Sequence, residues 1–567
     1  MEPAAMKRAK MHHKNKLKKN SENNSPKVHQ TNPSSFQQSH TVRQSLAFAL
    51  KYFSEGQQGQ AEHICRQILQ ADPNQPQALH MLGVIAHQVG ELGSAFDLVQ
   101  KAITYKPDYA DAHNNLGNIL KDLNKFEDAL KSFQQALKLM PDSAEVHNNI
   151  GIVLYKMNRF DEAISYYKIA LKNNSNYAEA HNNIGQVLKR QYKFDEAISS
   201  YIRAIDSEPT YIEAYRNYGT LLQEMNRLDE SIQIYKQALE LDPENIATKF
   251  YLSLSLLSSG DYEHGLPLFD YRLVYDVVSV GTRFFSPPFW DGSNLHGKKI
   301  LIWGEQGIGD EILYAMFFPE LLSRGASCYI ECQPRLVPLF KRSFPNAKIY
   351  PRRKEPVKEL LSQEINFQSP SGSLLQWLLL PFKKGEIKEK YLIADCEETS
   401  VFRSRYRTDG VEKVVGIGWA TNFLTDGWDN ISLETFDPLL DTPGVKFVSI
   451  QYGDHSAELE AIFRRTGVKI IEDKQVNPLE NMDKFASQLA SMDLVITLTN
   501  STAALSCALG IPTWGISSPI VDWRFGNKMT QNLWYPSLRI FRQTDRANWK
   551  SVSEELAQAF RDYMHLR

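Results

Sequence analysis

The sequence predicts a two-part chain, an α-helical repeat array followed by an α/β region built on parallel strands. Three observations predict it. Glycine recurs with one constant period through the first half, at Gly83, Gly117, Gly151, Gly185 and Gly219. Proline follows the same period at Pro73, Pro107, Pro141, Pro209 and Pro243, with Ser175 in its place once. Past Ser253 that period decays, and from residue 298 short apolar runs alternate with glycine turns and helical patterns, as in parallel sheets with helical crossovers.

The repeat comes first. Ala49 precedes the glycine series by one period and Ser253 follows it by one. At a fixed offset after each member stands a second small residue: Ala61, Ala95, Ala129, Ala163, Ala197, Ser231 and Gly265. Small residues at two fixed points let paired helices approach closely, and the prolines end the second helix of each pair. This pattern is that of the tetratricopeptide repeat. It predicts seven units over residues 42–279, stacked as a superhelix with a groove lined by the first helices. Asn115, Asn149, Asn183 and Asn217 recur two positions before the glycines, with Asn114, Asn148 and Asn182 beside three of them. Asparagine is a weak helix former, so its return in register either points to binding or marks an exposed helical position that tolerates it. A row of amides offers donors and acceptors to an extended peptide backbone without reading its sequence. The expected partner in this groove is a protein or peptide. The row is similar to the asparagine ladder of the O-GlcNAc transferase family.

A linker over 280–297 leads to the α/β region, expected as two Rossmann-like halves at 298–410 and 411–548, with a C-terminal helix at 549–567. Lys298–Trp303 reads as a strand running into Gly304-Glu305-Gln306-Gly307-Ile308-Gly309-Asp310, then a helical pattern through Arg324 and a strand at Ser327–Cys332. Further strands are expected at Lys413–Trp419, Lys446–Gln451, Val468–Ile471, Asp493–Leu498 and Pro512–Ile516. The glycine loop lacks a following Gly-Lys-Ser/Thr, so it is not a Walker loop. It either cradles a ligand on its amides or makes a tight turn. Thr499, Asn500, Ser501 and Thr502 lie where a strand runs into a helix. Their hydroxyls, exposed amides and the helix dipole suit a diphosphate. Thr499 or Ser501 could equally be an ordinary helix cap.

Composition bounds the rest. The chain has 567 residues, enough for several domains, with 42% hydrophobic and 23% charged residues as in globular proteins. Net charge is −2, so the chain as a whole has no pull toward polyanions. Its five cysteines are few, odd and scattered, which points to a reducing compartment. Cys328 and Cys332 share one face of a strand without a neighbouring His or Cys to complete a zinc set, so no metal is expected. No apolar run approaches the length of a transmembrane helix and no signal core begins the chain, so a cytoplasmic protein is expected. Residues 1–41 carry Lys7, Arg8, Lys10, Lys14, Lys16, Lys18, Lys19 and Lys27 and read as a disordered basic tail. Nucleic acid is an expected partner only there, if at all.

The second half resembles the heptosyltransferase-like GT-B enzymes of glycosyltransferase family 9, in the form that bacteria fuse to tetratricopeptide repeats. The likeness rests on Gly307-Ile308-Gly309-Asp310 after the first strand and on the strand–Thr-Asn-Ser-Thr–helix–Leu-Gly-Ile-Pro segment. Ile417-Gly418-Trp419-Ala420, Ser449-Ile450-Gln451, Asp522-Trp523-Arg524 and Trp534-Tyr535-Pro536-Ser537 follow in the expected order. The resemblance implies a GT-B fold with an acceptor-side and a donor-side half. It implies transfer of a sugar from a nucleotide-sugar, with inversion and without a metal or other cofactor. Asp310 matches the general base. A helix N-terminus favours an ionised carboxylate and so weakens it as a base, and a plain capping role stays open. Gly307 and Gly309 fall on the acceptor-side loop. Thr499 to Thr502 fall on the donor diphosphate, and Asn422, Gln451 and Arg524 match donor contacts. Two departures stand out: Ala504 replaces a histidine, and Asp429 stands before Asn430-Ile431 where a basic residue is common. Arg524, Arg542 or Lys528 could supply the lost charge. The alternative expectation is a non-catalytic repeat scaffold with a degenerate transferase domain.

Overall fold

The computed structural model describes residues 35–275, 283–362, 364–379, 389–408, 410–420, 431–520, 522–526, 532–544 and 548–565, with side chains from residue 42 onward. The basic tail expected at 1–41 lies outside them, apart from the start of the first helix at Ser35. The chain forms two compact units, divided in the sequence between Leu221 and Leu222.

The first unit is a run of helix pairs: α1 (Ser35–Ser54), α2 (Gln58–Ala71), α3 (Pro76–Gln88), α4 (Leu92–Tyr105), α5 (Ala110–Asp122), α6 (Phe126–Leu139), α7 (Ala144–Lys156), α8 (Phe160–Asn173), α9 (Ala178–Arg190), α10 (Phe194–Ser207) and most of α11 (Ile212–Glu224). The glycines do more than let backbones approach. A Cβ at Gly117, Gly151 or Gly185 would lie 2.5, 2.4 or 2.6 Å from the ring of Phe133, Tyr167 or Tyr201. Each glycine is the floor of a slot for an aromatic ring of the following helix, and those rings are fully buried. The turn inside each pair needs a left-handed residue. Gly56, Gly90, Asn124, Asn158, Tyr192, Asn226 and Gly260 take it, again with the period of the repeat. Glycine and asparagine enter that region at low cost, and Tyr192 is the exception. Most second helices end where a proline forbids continuation, as at the C-cap Lys106 before Pro107, while Phe160–Asn173 ends at Asn174 before Ser175.

The second unit begins with the end of α11, then α12 (Leu228–Leu241), α13 (Ile246–Ser259), α14 (Tyr262–Phe269) and the short α15 (Arg272–Tyr275). Two parallel sheets follow. The first holds β1 (Lys299–Trp303), β2 (Ser327–Cys332), β3 (Lys348–Pro351) and β4 (Phe367–Pro370) in the order β3-β2-β1-β4. The second holds β5 (Lys413–Ile417), β6 (Val445–Ser449), β7 (Ile471–Glu472), β8 (Leu494–Leu498), β9 (Thr513–Ser517) and β10 (Leu538–Arg542) in the order β10-β9-β8-β5-β6-β7. The strands expected from the sequence are present within a few residues. β3, β4 and β10 are additional; β3 and β4 are short and end in proline, so neither stands out as an apolar run. Three helices bear on the site or its support: α16 (Ile308–Tyr314) after β1, α17 (Ser501–Ala508) after β8, and α18 (Lys550–His565).

One hydrophobic core runs through both sheets, from Ile300 and Ile330 to Val495 and Leu505. α18 buries Val552, Leu556 and Phe560 on the far face of the second sheet. The stretch expected as a linker is packed as well. Phe289 bridges to Gln368 of β4, the Trp290 N–H donates to the Gln368 carbonyl at 2.8 Å, and both aromatics are buried. In each sheet the chain reverses its direction of growth beside the first strand, so the carboxyl ends of β1/β4 and of β5/β8 are where an open α/β sheet places ligands. No helix among the described residues is long and apolar enough to cross a membrane.

Candidate functional site

The asparagine row is a set of bonds between successive repeats. Asn149 Nδ2 donates to Asn114 Oδ1 at 3.0 Å, Asn183 Nδ2 to Asn148 Oδ1 at 3.0 Å, and Asn217 Nδ2 to Asn182 Oδ1 at 2.9 Å. The first rung differs: Asn115 Nδ2 meets His80 Nε2 at 2.7 Å, and His80 Nδ1 meets the Tyr109 hydroxyl at 3.0 Å. Burial holds His80 below its usual pKa, which keeps a ring nitrogen free to accept. The orientation of the amides follows from chemistry. Asn114 Nδ2 bonds Glu145 Oε1 at 2.7 Å; an ionised carboxylate only accepts, so Asn114 must turn its carbonyl to Asn149. The side-chain carbonyls of Asn115, Asn149, Asn183 and Asn217 have no partner among the described residues. The row therefore presents acceptors at the spacing of the repeat.

The second constellation lies in the α/β unit. The β1 strand runs into Glu305 and Gln306, which has a positive φ of 58°, and then into α16. Asp310 is the third residue of α16. Its Oδ2 accepts the Gly307 N–H at 3.1 Å, and its Oδ1 forms an ion pair with Arg524. Only 9% of the Asp310 side chain is exposed, against 34% for Arg524. Arg524 is also bonded to Asp522, with Nη2 at 2.7 Å from Oδ2. Asp310 thus caps its own helix and holds a cation from the second sheet's loops in one geometry. Glu305 is fully buried, bound bidentately by Arg272 at 2.8 and 2.5 Å and by the Gly372 N–H at 2.8 Å. That carboxylate is not placed to take a substrate proton.

Gly309 explains how the two sheets meet here. A Cβ at that position would lie 3.3 Å from Ser501 Cα, so the first turn of α16 rests on the first turn of α17. The cap of α17 is Asn500, whose Oδ1 accepts from the Thr502 N–H at 2.9 Å and the Ala503 N–H at 3.4 Å. Neither Thr499 nor Ser501 caps it. The Thr499 N–H bonds the Ile516 carbonyl at 3.0 Å, and the Ala504 N–H the Asn500 carbonyl at 3.1 Å. Two of the helix's orphan amides are thereby satisfied by the chain's own side chain. The Ser501 amide and the hydroxyls of Thr499, Ser501 and Thr502 have no hydrogen-bond partner among the described residues, and they lie at the carboxyl end of β8. Beside them the ends of β5 and β8 touch closely: a Cβ at Gly418 would lie 2.8 Å from Thr497 Oγ1.

The other sequence-derived donor contacts have work within the fold. Gln451 Oε1 accepts from the Trp419 and Ala420 amides at 3.0 and 2.9 Å, and its Nε2 donates to the Ala420 carbonyl at 3.0 Å, which ties the end of β5 to that of β6. Arg542 binds carbonyls of the loop that carries Arg524, with Nη1 3.0 Å from Ile520 O and Nη2 2.9 Å from Gly526 O. Asn422, Asp429, Asn430 and Lys528 lie outside the described residues. Sequence reasoning missed Glu311. It sits 2% exposed under the glycine loop, where a Cβ at Gly304 would lie 2.4 Å from its Oε1. Burial pushes its carboxyl up to about 7, despite the Gln333 N–H at 2.7 Å and Arg352 at 3.7 Å.

With the geometry in view, relatives can be placed. Residues 117–158 match the TPR repeat model, and residues 144–177 and 176–244 match tetratricopeptide repeat models. The chain carries tetratricopeptide repeats, and a protein or peptide is the kind of partner such repeats suggest. Over 330 residues it is 26% identical to Protein FlbA of Caulobacter vibrioides, covering 56% of this chain and 55% of that protein. It thus spans about half the length of the curated relative it matches. Solved structures with similarity include MamA at 25% identity, covering 29% of this chain and 95% of that one with a TM-score of 0.26. Pseudomonas aeruginosa pilF is similar at 20% identity, 38% and 98% coverage and a TM-score of 0.33. YrrB, described as a TPR protein with an unusual peptide-binding site, stands at 20%, 32%, 95% and 0.26.

Proposed function

We propose that the chain is an inverting, metal-independent GT-B glycosyltransferase, which takes a sugar from a nucleotide-sugar and passes it to a protein or glycan held by the repeats. The observation that carries this reading is the abutment of α16 and α17 through Gly309, with Asp310 and Arg524 ion-paired beside it. A donor diphosphate at Thr499, Ser501 and Thr502 would compete with Asp310 for the Arg524 guanidinium. Phosphate accepts bidentate bonds from arginine strongly. Arg524 turning toward it frees Asp310 Oδ1 to accept the acceptor hydroxyl's proton. The same cation then offsets charge that builds on the leaving diphosphate.

A second reading, a scaffold with a degenerate transferase domain, is favoured by one feature: both Asp310 oxygens are engaged. Turnover of a bound donor separates the two, and calorimetry on the full chain tests the donor seat. A screen of nucleotide-sugars by thermal shift supplies the donor. Ser501→Ala with Thr502→Ala should weaken its binding by about 1–3 kcal/mol, the range for hydrogen bonds to charged groups. Equal affinity in parent and variant would move the donor away from α17.

A further inference from the structure

We propose that α14 and α15 form a clasp that holds the two parallel sheets together over the Asp310–Arg524 pair. The clasp has an ionic arm and an aromatic arm. The ionic arm is Arg272, whose side chain is 0% exposed. Nε donates to Glu305 at 2.8 Å, and Nη2 to Glu305 at 2.5 Å and Ser373 Oγ at 3.2 Å. Nη1 donates to Asp270 at 2.7 Å and to the Phe269 carbonyl at 3.1 Å. All five guanidinium donors are thereby satisfied. Gly372 is shaped to this arm, since a Cβ there would lie 2.8 Å from Arg272 Nη2 and 2.9 Å from Glu305 Oε1.

The place matters. Glu305 follows β1 and Gly372 follows β4, so Arg272 fills the crevice where the first sheet reverses direction. That crevice is the position in an open α/β sheet that a ligand takes. Here the chain's own side chain takes it.

The aromatic arm reaches the other sheet. The Arg272 guanidinium lies 4.3 Å over the Phe269 ring, and Phe269 packs edge-on against Trp523 at 5.5 Å. Tyr262 packs edge-on against Trp534 at 5.4 Å, and Trp534 against Trp523 at 5.5 Å. Trp523 stands between Asp522 and Arg524. One helix pair therefore grips the loop that leads into α16 and Asp310 through Glu305, and the loop that carries Arg524 through Trp523. This holds whether or not the crevice turns over a substrate.

Amide hydrogen exchange on the full chain tests the clasp. Arg272→Lys keeps the charge and loses the bidentate fork; Phe269→Leu keeps apolar bulk and loses the ring. Each should speed exchange roughly tenfold or more in peptides over 304–314 and over 522–526 together, as for a shared local opening. The β6 peptide, remote from the clasp, should not change. Faster exchange on the altered residue's own side alone, for either variant, would overturn the clasp and leave Arg272 and Phe269 as separate core residues. If Arg272→Lys opens every peptide, Phe269→Leu decides by the same criterion.

Discussion

The helical unit and the α/β unit reach a packed state by opposite routes. In the helical unit the partners that matter recur at fixed distances: a glycine and a ring on the next helix, an asparagine and its acceptor 35 residues back. In the α/β unit the decisive partners are single and distant. Arg272 bonds Glu305 33 residues away and Ser373 101 away, and Arg524 pairs with Asp310 across 214. The first arrangement spreads stability over many equivalent contacts. The second concentrates it, so one change can disturb both sheets.

Arg272→Ala should show the largest effect. It leaves Glu305 buried and unpaired, and removing one partner of a buried pair costs about 3–5 kcal/mol. Denaturant melts should report a loss of that order, and a loss under about 1 kcal/mol would refute the concentration of stability there. Glu311 should give the next largest signal. Its folded pKa, about 7, lies above the ordinary value of 4.5. The folded state therefore holds a proton that the unfolded state releases between those values. The contribution is fully present below about pH 4.5 and is lost as pH rises through 7, by up to about 3 kcal/mol. Glu311→Gln should flatten the stability–pH profile in that window while leaving the low-pH end unchanged.

Smaller effects should mark the helical unit. Gly151→Ala would ordinarily gain about 1 kcal/mol in a helix. Here the Tyr167 ring stands 2.4 Å from the new Cβ, and overpacking costs about 1–3 kcal/mol, so the sign should reverse. Gly93→Ala, with nothing within 4 Å, should stabilise instead. The smallest change is Asn149→Ala. Alanine favours the helix, but the Asn114 carbonyl loses its donor, and about 1 kcal/mol should be lost. The asparagine row can therefore not be removed silently, as its propensities alone would suggest. Partner capture in a pull-down should be compared at temperatures where both proteins are folded.

Why one unit was easier to read follows from the same contrast. A constant period exposes glycine, alanine and proline positions at once. Two further series of that period, the left-handed turn residues from Gly56 to Gly260 and the rings from Phe133 to Tyr235, were equally present in the sequence. Tyr192, and Val99 in place of a ring, blurred them. Most strands were visible as apolar runs; β3 and β4, which are short and end in proline, and β10, whose apolar residues are interrupted by Arg539, were not. The loops bearing Asp310 and Thr499–Thr502 could be singled out by strand-to-helix punctuation. Their pairing with Arg524 and Gly309 could not, because no local pattern specifies a contact between segments so far apart in the chain. Glu311 was invisible for a related reason. Its environment is made by Gly304, Gln333 and Arg352, from the ends of three different strands.

The most direct test of the account is Asp310→Asn, studied with a donor identified by thermal shift and an acceptor captured by the repeats. Asparagine has the same size and can still accept the Gly307 N–H, so the fold should hold, and donor affinity measured by calorimetry should hold or rise, because a neutral amide competes less than a carboxylate for Arg524. It cannot take a proton, and general-base assistance typically contributes about 10²–10⁴-fold. Product followed by mass spectrometry should fall by that factor with binding retained. Turnover that persists in the variant, or a parent protein that binds donor and acceptor without forming product, would contradict the account.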